Sequence, residues 1–541
     1  MTISKSFDYI RGRFILAATI IGAGMVYLDG TIITVALEPI REEFTASVTD
    51  LQWLLDIYLL FLTVPILMAG SLSDRYGRKR LFNIGLIGFT LASAACGSAW
   101  SMDQLNIARA FQGAFGGMML PGSLAILNAT FPPNVRGKTV GTWSAFTALT
   151  TAIGPILGGW LVDFSSWRAA FYINVPLGLM ALALSLKYIP ESWSDTAPEK
   201  QDWLGIGLVT AGLAFLMYSL IEGPVHKWSD PLYSYTAFAG IAFLVAFIIV
   251  ETKITNPMIP VELFKYRVFT GITILTLVLY FAMSGVFFFI PLLLQQTHDF
   301  SATRTGVLLL PLIILLFVLS RWSGAFADKS GPRQLLIVGP IMIALGLFLS
   351  MIPGTEVKSV FGLMKDWTPQ SRTFMSFLPA TVIFGFGLGL TVAPLTTVAL
   401  AAVPRDMSGL ASGFSNAVSR VATILAVAIL GAVMVTQFTN SFQENIEGLP
   451  LSEQDFIYLE AERFKLGGAK PPQGLSEELT NQLQYAIDSA FVDGFRMMMA
   501  LCGFLALISA LVTVTMIENK VVSHDDSFSP NELEIPTTPH F

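Results

Sequence analysis

Long runs of apolar residues alternate with short polar stretches along the whole chain. A helix needs roughly 20 predominantly apolar residues to cross a bilayer. By this criterion we count about fourteen spans, near residues 14–37, 51–71, 81–100, 104–130, 139–163, 167–189, 203–222, 232–250, 268–293, 304–324, 334–352, 372–400, 408–436 and 487–517. The pattern predicts an all-α integral membrane protein with both chain ends on one side.

The composition agrees with this class. Of 541 residues, 53% are hydrophobic and 13% are charged, whereas a soluble domain carries about a quarter charged residues. The formal net charge is −6 and the basic residues form no single patch, so we expect no nucleic-acid partner. The histidines and cysteines lack metal-ligand spacing, and neither a phosphate-binding loop nor a nucleophile with a base partner is present. We therefore expect no metal, no cofactor and no enzyme.

Basic residues cluster in alternate loops, for example between Arg75 and Arg80. The positive-inside rule places these loops and both termini in the cytoplasm, and the short leading segment favours a bacterial inner membrane. The long loop at 437–486 is then external, and its acidic composition indicates a solvated cap. Residues 518–541 read as a disordered cytoplasmic tail. A periplasmic adaptor is a candidate partner, and we expect the protein to function as a monomer.

A loop pattern occurs twice. The stretch from Gly70 to Arg80 and the stretch from Gly324 to Arg333 both keep a glycine, an aspartate four places on and a glycine three further. Without the seventh and eighth spans, the loops occupy the same place in two six-span halves. We therefore predict a six-helix bundle at 1–189, two inserted helices at 190–267 and a second six-helix bundle at 268–517. Paired bundles around a midplane site are typical of secondary transporters.

Several motifs resemble one family. The loop after Gly70 resembles the signature loop of the major facilitator superfamily. The stretch LDGTIITVAL from Leu28 is similar to the first-helix motif of its fourteen-helix drug:proton antiporters, RAFQG from Arg109 to their fourth-helix motif, and GPILGG from Gly154 to their fifth-helix antiporter motif. The resemblance covers nearly the whole chain. It implies the major facilitator fold, two six-helix bundles plus two extra helices.

Charged residues inside membrane spans are costly and mark functional sites. At about 1.5 Å per residue, Asp29 lies about 10 Å below the outer boundary, and Asp56 and Arg109 about 8 Å. We expect the three to share one layer and to titrate as a coupled set, so that a movement of Arg109 loads or releases a proton. Two alternatives stay open: a static pair between spans one and four, and an Asp56 that is merely solvated.

The repeated loops are candidates for gating. A carboxylate at a helix end accepts hydrogen bonds from the N-terminus of another helix. We expect Asp74 to reach the start of the thirteenth span, and Asp328 the start of the fifth, so that both clasp the halves on the cytoplasmic side. Glycines within the loops permit close approach, and the basic residues set topology. The loop residues concerned are Gly70, Asp74, Gly77, Arg78, Gly324, Asp328, Gly331 and Arg333.

The fifth-helix motif contains Gly154, Pro155, Gly158 and Gly159. Proline removes a helix hydrogen bond and glycine permits tight crossings, so a hinge and a packing surface are both open. The resemblance implies a role in antiport direction. Aromatic faces suit lipophilic and cationic ligands, and the cavity candidates are Tyr27, Phe146, Tyr280 and Asn416.

These observations predict a proton-coupled antiporter that exports lipophilic, often cationic drugs or toxic compounds. Its partners would be that substrate, protons and the bilayer. One alternative is a dedicated exporter of a single metabolite such as a siderophore, lipid or saccharide. The other is a non-transporting membrane sensor, which would be marked by loss of the intramembrane charges.

Overall fold

A computed structural model describes residues 9–193, 202–226, 228–254, 261–355, 369–403 and 408–518. Within these ranges the chain is helical and contains no strand. The α-helices are α1 (Tyr9–Phe44), α2 (Val48–Tyr76), α3 (Arg78–Gly97), α4 (Met102–Thr130), α5 (Pro133–Phe164), α6 (Trp167–Tyr172), α7 (Asn174–Tyr188), α8 (Trp203–Val225), α9 (Pro231–Glu251), α10 (Arg267–Gln296), α11 (Ala302–Ser330), α12 (Arg333–Leu349), α13 (Pro369–Ala401), α14 (Ser408–Ile446), α15 (Glu453–Glu462) and α16 (Glu477–Met516). Two 3-10 helices span Val261–Lys265 and Arg463–Gly468.

Thirteen spans are long and apolar enough to cross a membrane within the described ranges. The predicted total of about fourteen is reached only with α12, which has 17 residues. The predicted helix at 167–189 is broken into α6 and α7 at Ile173. Pro176 explains the break, because an uninterrupted helix would lack a donor for the carbonyl of Tyr172 and would clash with it.

Serine side chains start several helices at one end of the bundle, which we call the distal end because α1 ends there at Phe44. Ser47 and Asp50 form a reciprocal capping box at the start of α2. Ser101, Ser301 and Ser476 each accept a hydrogen bond from a backbone N–H in the first turn of the following helix. These caps satisfy donors that have no partner inside the helix.

Helices α1–α7 form one half and α10–α16 the other. The halves meet where α2 packs on α14 and α5 packs on α11. The inserted helices α8 and α9 pack on each other, and α8 also packs on both α2 and α14. That junction is an apolar cluster whose buried members are Leu60, Val209, Leu213, Met217, Ile221, Phe247, Ile424 and Ala428. The insertion therefore covers one lateral seam between the halves.

The repeated loops share one turn geometry. Gly77 has φ +103° and Gly331 has φ +87°, a region that favours glycine. The amide of Gly77 donates to the Ser73 carbonyl, and that of Gly331 donates to the Ala327 carbonyl. The same chain reversal therefore joins α2 to α3 and α11 to α12.

Basic side chains also follow the internal repeat, because they donate to the last carbonyls of α7 in one half and of α16 in the other. Cations at a helix C-terminus satisfy free carbonyls and the helix dipole. The equivalent pairs are Lys79 Nζ to Leu186 O at 3.0 Å and Arg333 Nη2 to Val514 O at 2.7 Å, then Arg11 Nε to Tyr188 O at 2.9 Å and Arg267 Nη2 to Thr515 O at 2.7 Å. The two halves are thus the same unit, built twice.

Candidate functional site

Asp29 lies in the middle of α1 and is 1% exposed. Its carboxylate accepts hydrogen bonds from Arg109 Nη1 at 2.5 Å, Gln112 Nε2 at 2.7 Å and Asn174 Nδ2 at 3.2 Å. The donors come from α4 and from the first residue of α7. Three donors from two other helices therefore converge on the two oxygens of one buried side chain.

Arg109 is fully buried between α4 and α2. It also donates to Gln112 Oε1 at 2.7 Å and to the Leu54 carbonyl at 3.4 Å. The Tyr58 ring centroid lies 3.9 Å from the guanidinium carbon, a cation–π contact. Gly113 permits this arrangement, because a Cβ there would lie 2.3 Å from the Tyr58 carbonyl oxygen. The close crossing of α4 and α2 therefore holds the cation in place.

Gln112 and Asn174 complete the site, and sequence reasoning did not assign them to it. Gln112 donates to Ser93 Oγ at 2.8 Å as well as to Asp29. A signal was available for Gln112, because it follows Arg109 by three residues and therefore shares its helix face. The role of Asn174 depends on the break between α6 and α7, which the apolar pattern did not reveal.

Asp56 makes no contact with this group, although Leu54 and Tyr58 on either side of it both contact Arg109. It is fully buried, and neither carboxylate oxygen has a hydrogen-bond partner in the described part of the chain. The alternative of a solvated Asp56 is therefore wrong, and the coupling of all three charges stays a prediction. Tyr58, two residues on, lies about 200° around the helix. Because Tyr58 turns to Arg109, Asp56 faces the opposite side, where α8 and α14 pack.

At the distal end, α5 of one half joins α11 of the other. The Asp163 carboxylate accepts from the backbone N–H of Ala302 at 3.2 Å and of Thr303 at 2.9 Å. A Cβ at Gly159 would lie 2.5 Å from the Ala302 carbonyl oxygen. An acid of one half thus caps the first turn of a helix in the other.

Further hydrogen bonds join the two halves at the distal end. We call these bonds, together with the contact between α5 and α11, the distal seam. Gln296 Nε2 donates to Glu38 at 2.6 Å, and Gln52 Nε2 donates to the Val427 carbonyl at 2.9 Å. The buried Arg41 pairs with Glu38 at 2.5 Å and donates to the Gly468 carbonyl at 3.4 Å. The predicted solvated cap is therefore wrong for the 3-10 segment Arg463–Gly468, which is seated between the halves.

The glycines of the fifth-helix motif face two neighbours. A Cβ at Gly154 would lie 1.9 Å from Thr31 Oγ1, and one at Gly158 would lie 3.0 Å from the Ile32 carbonyl oxygen. On the other face, a Cβ at Gly306 of α11 would lie 2.3 Å from the Pro155 carbonyl oxygen. Helix α5 also continues unbroken through Pro155. The geometry supports the packing role.

The repeated loops are held by contacts within their own halves. Glu191 caps the start of α3, accepting from the backbone N–H of Lys79 at 3.0 Å and of Arg80 at 3.2 Å. Sequence reasoning missed Glu191, which lies in a polar linker without a motif. The side chains of Asp74 and Asp328 lie outside the described residues, as does the environment of Gly70. Gly324 has room beside it, with the Ala393 Cβ 3.9 Å away. The clasps between the halves stay a prediction.

Two of the four cavity candidates lie where the halves face each other. Tyr27 of α1 and Tyr280 of α10 are partly buried and lie within electrostatic range of each other. Asn416 is exposed on α14, and its place in a cavity stays a prediction. Phe146 is a wrong prediction, because it lies on an outward stripe of α5 and is 49% exposed. The other exposed members of that stripe are Leu149, Ile153, Trp160 and Phe164.

The sequence of the chain is similar to those of known proteins. A family model described as Major Facilitator Superfamily matches residues 19–427. The chain is 32% identical over 531 residues to the tetracenomycin C resistance and export protein of Streptomyces glaucescens, covering 97% of this chain and 94% of that protein. It is 31% identical over 436 residues to the multidrug resistance protein Stp of Mycobacterium tuberculosis, covering 80% of this chain and 78% of that protein.

Solved structures share the fold at low sequence identity. A bacterial homologue of the human lysosomal transporter Spinster, in an inward-facing and occupied conformation, has a TM-score of 0.63 and 19% identity. The match covers 97% of this chain and 100% of that chain.

Proposed function

The chain belongs to the Major Facilitator Superfamily, and on that premise we propose that it is a proton-coupled antiporter that exports lipophilic drugs or toxic compounds by alternating access. It is a multi-pass membrane protein with thirteen membrane-spanning candidates in its described part. The names of its relatives, a resistance and export protein and a multidrug resistance protein, support efflux. The proton coupling rests on the site itself.

The observation that carries the proposal is the buried Asp29–Arg109 pair and its network. Buried ion pairs are costly to desolvate, and intramembrane charges mark ion pathways. A proton on Asp29 would cancel its charge and weaken the pair, which would leave Arg109 with the Gln112 amide oxygen and the Leu54 carbonyl as acceptors. Proton loss would restore the pair. The protonated and the ionised form of Asp29 thereby favour two different arrangements of α1 against α4. A substrate that binds more tightly to the arrangement of the ionised form exchanges for the proton.

The distal seam supplies the gate. We propose that the distal end is the outer side, that both termini are cytoplasmic and that the membrane is a bacterial inner membrane. Outward opening then requires Asp163 to leave the first turn of α11 and Gln296 to leave Glu38. In the outward-open state, Asp74 and Asp328 would clasp the opposite side. We further propose a monomer, with a periplasmic adaptor as a candidate partner.

The test uses purified protein in liposomes that enclose a pH-sensitive dye. A proton gradient is imposed, and a panel of lipophilic cations, neutral compounds and acids is added in turn. We expect substrate-dependent proton flux that Asp29→Asn abolishes and that Asp103→Asn retains, since Asp103 is an exposed carboxylate on the same helix as Arg109. Flux that survives Asp29→Asn would overturn the assignment of the coupling site. Absence of flux for every compound would overturn the proposed antiport.

The panel also separates a multidrug exporter from a dedicated one. One relative is named for a single compound and the other for many. A response to several unrelated members indicates a multidrug exporter. A response to one chemical series alone indicates a dedicated exporter. The loss of response in Asp29→Asn is expected in either case.

A further inference from the structure

Carboxylates are absent from the middle of the C-terminal half. Helices α10, α12 and α13 contain no acidic residue. Glu444 lies in the last turn of α14, and Asp328 is two residues from the end of α11. The acids of α16 lie towards the distal end, where Glu477 and Glu478 begin the helix, Asp488 lies near Asp299, and Asp493 accepts from Ser441 Oγ at 2.7 Å. In contrast, Arg420 lies twelve residues inside α14, which is about 18 Å from its start. The mid-level of this half therefore carries a cation and no anion.

Arg420 faces the space between the halves. Residues 416, 420, 423 and 427 follow the helical spacing of four, three and four and so share one face of α14. The Val427 carbonyl accepts from Gln52 of α2, and Thr423 Oγ1 accepts from Ser284 of α10 at 3.0 Å. Since Arg420 lies between those contacts and the exposed Asn416, its side chain points between α2 and α10.

Tyrosine side chains of both halves lie near this position. The Arg420 guanidinium lies within electrostatic range of the Tyr280 and Tyr58 hydroxyl groups. Tyr27 lies within the same range of Tyr280. A Cβ placed at Gly30, three residues after Tyr27, would meet no atom within 4 Å. Open space therefore adjoins α1 one helical turn from Tyr27.

The positive charge of Arg420 is uncompensated in the described structure. It is only partly buried and makes no ion pair with any described residue. The other arginine near Tyr58, Arg109, is neutralised by Asp29 at 2.5 Å. Asp56, on the face of α2 opposite Tyr58, makes no hydrogen bond or ion pair with Arg420 or with any other described residue. The space between the halves at this level thus contains tyrosine side chains and one guanidinium without an ion-pair partner among the described residues, and we call this space the cavity.

We infer that this cavity binds aromatic, lipophilic compounds that carry an anionic oxygen, a carboxylate or a phenolate, and that Arg420 binds that oxygen. The inference rests on the proposed function and names its substrate class. A guanidinium offers paired donors that match a carboxylate, and tyrosine rings pack on aromatic ligands. A lipophilic cation would meet a like charge in a medium of low dielectric. We therefore expect anionic rather than cationic substrates.

The test compares two ligands that share a ring system and differ in charge, 2-naphthoate and 2-naphthylmethylammonium. Equilibrium binding of each radiolabelled probe is measured on the full chain in detergent. The variants are Arg420→Gln, which removes the charge, and Arg420→Lys, which keeps it. Arg321→Gln is the matched control, because Arg321 is exposed on α11 beside the outward-facing Phe317 and Val318. Each variant must keep the wild-type elution volume and melting temperature.

We expect the wild type to bind naphthoate at least about tenfold more tightly than the ammonium probe. Arg420→Gln should remove this preference, Arg420→Lys should retain most of it, and Arg321→Gln should not change it. Preference for the ammonium probe, binding of neither probe, or unchanged naphthoate affinity in Arg420→Gln would each overturn the inference. Proton flux is read separately in liposomes. Anion preference without proton flux would support the role of Arg420 and contradict the antiport.

Discussion

At the scale of single residues, Arg109 donates hydrogen bonds to a carboxylate, a side-chain amide and a backbone carbonyl, all within one half of the molecule. Removal of one partner from a buried ion pair is strongly destabilising, about 3–5 kcal/mol, because it leaves an uncompensated charge. Asp29→Asn tests coupling directly, but it also removes that compensation. Its neighbours therefore offer a gentler probe of the same network.

Gln112→Leu should weaken coupling without abolishing it. The substitution leaves the Arg109–Asp29 contact but removes one donor to Asp29 and one acceptor from Arg109, which costs about 1–3 kcal/mol. We expect a lower melting temperature and slower substrate-dependent proton flux in liposomes. Gln482→Leu, on the exposed start of α16, is the control and should match wild type. Wild-type flux and stability in Gln112→Leu would show that the amide has no part in the site.

His298 predicts a pH dependence of stability. It lies between α10 and α11, is 8% exposed, and burial lowers its pKa from 6.5 to about 4. Between those values the unfolded chain binds a proton that the folded chain excludes. Stability is therefore full above pH 6.5, falls as the pH is lowered towards about 4 and levels off below it.

The measurement is the melting temperature of wild type and His298→Gln from about pH 7.5 to about pH 4. We expect the wild type to lose more stability than the variant as the pH falls, with the gap growing towards about 3 kcal/mol. His226→Gln, at an exposed histidine, is the control and should run parallel to wild type. Parallel curves for wild type and His298→Gln would contradict the account.

The sequence yielded part of the site at this scale. Asp29 and Arg109 were predictable because a charge inside an apolar span stands out against its surroundings. Asp56 stood out equally, yet its position on the far side of α2 depends on packing against α8. Glu191 and Arg420 gave weaker signals, because one lies in a polar linker and the other follows a turn of polar residues. Their roles emerge only from the neighbouring helices.

At the scale of elements, α5 contacts α1 on one face and α11 on the other. The first contact holds α5 within its own half, and the second joins it to the opposite half. Glycines on both faces bring the backbones together, so α5 is packed closely on a helix of each half. The break between α6 and α7 positions Asn174, because it brings the first residue of α7 within hydrogen-bond distance of Asp29. Helix order was predictable from apolar periodicity, but neither contact was.

Gly159→Val should open the distal seam. The added side chain would meet the Ala302 backbone, which cannot yield as a flexible side chain would. Overpacking costs about 1–3 kcal/mol, so the closed arrangement loses population. The readout is labelling of Leu466→Cys, a fully buried seam position, by a membrane-impermeant thiol reagent. We expect the labelling rate to rise about fivefold or more.

Gly207→Val is the matched control for this change. Gly207 is also a helical glycine, but a Cβ there would meet no atom within 4 Å. Its labelling rate should equal that of the parent. Equal rates in Gly159→Val and Gly207→Val would show that the contact between α5 and α11 does not govern the seam.

At the scale of the whole molecule, two equivalent halves are joined at the distal end and along two lateral seams. Each half repeats the same glycine turn and the same basic side chains on its last carbonyls. The repeated loops and the inserted pair of helices were readable in the sequence, since both leave a pattern along the chain. The seating of the segment Arg463–Gly468 was not, because its acidic surroundings resemble any solvated loop. The proposed coupling site, Asp29 with Arg109, lies in one half, and Arg420 lies in the other.

Proton exchange at Asp29 on substrate binding can be measured as proton release. The purified protein is placed in weakly buffered detergent solution, and the panel compound that gives the largest flux is added. We expect about one proton released per bound substrate by wild type and by Asp103→Asn, and none by Asp29→Asn that still binds. Equal release by Asp29→Asn and wild type would contradict this expectation.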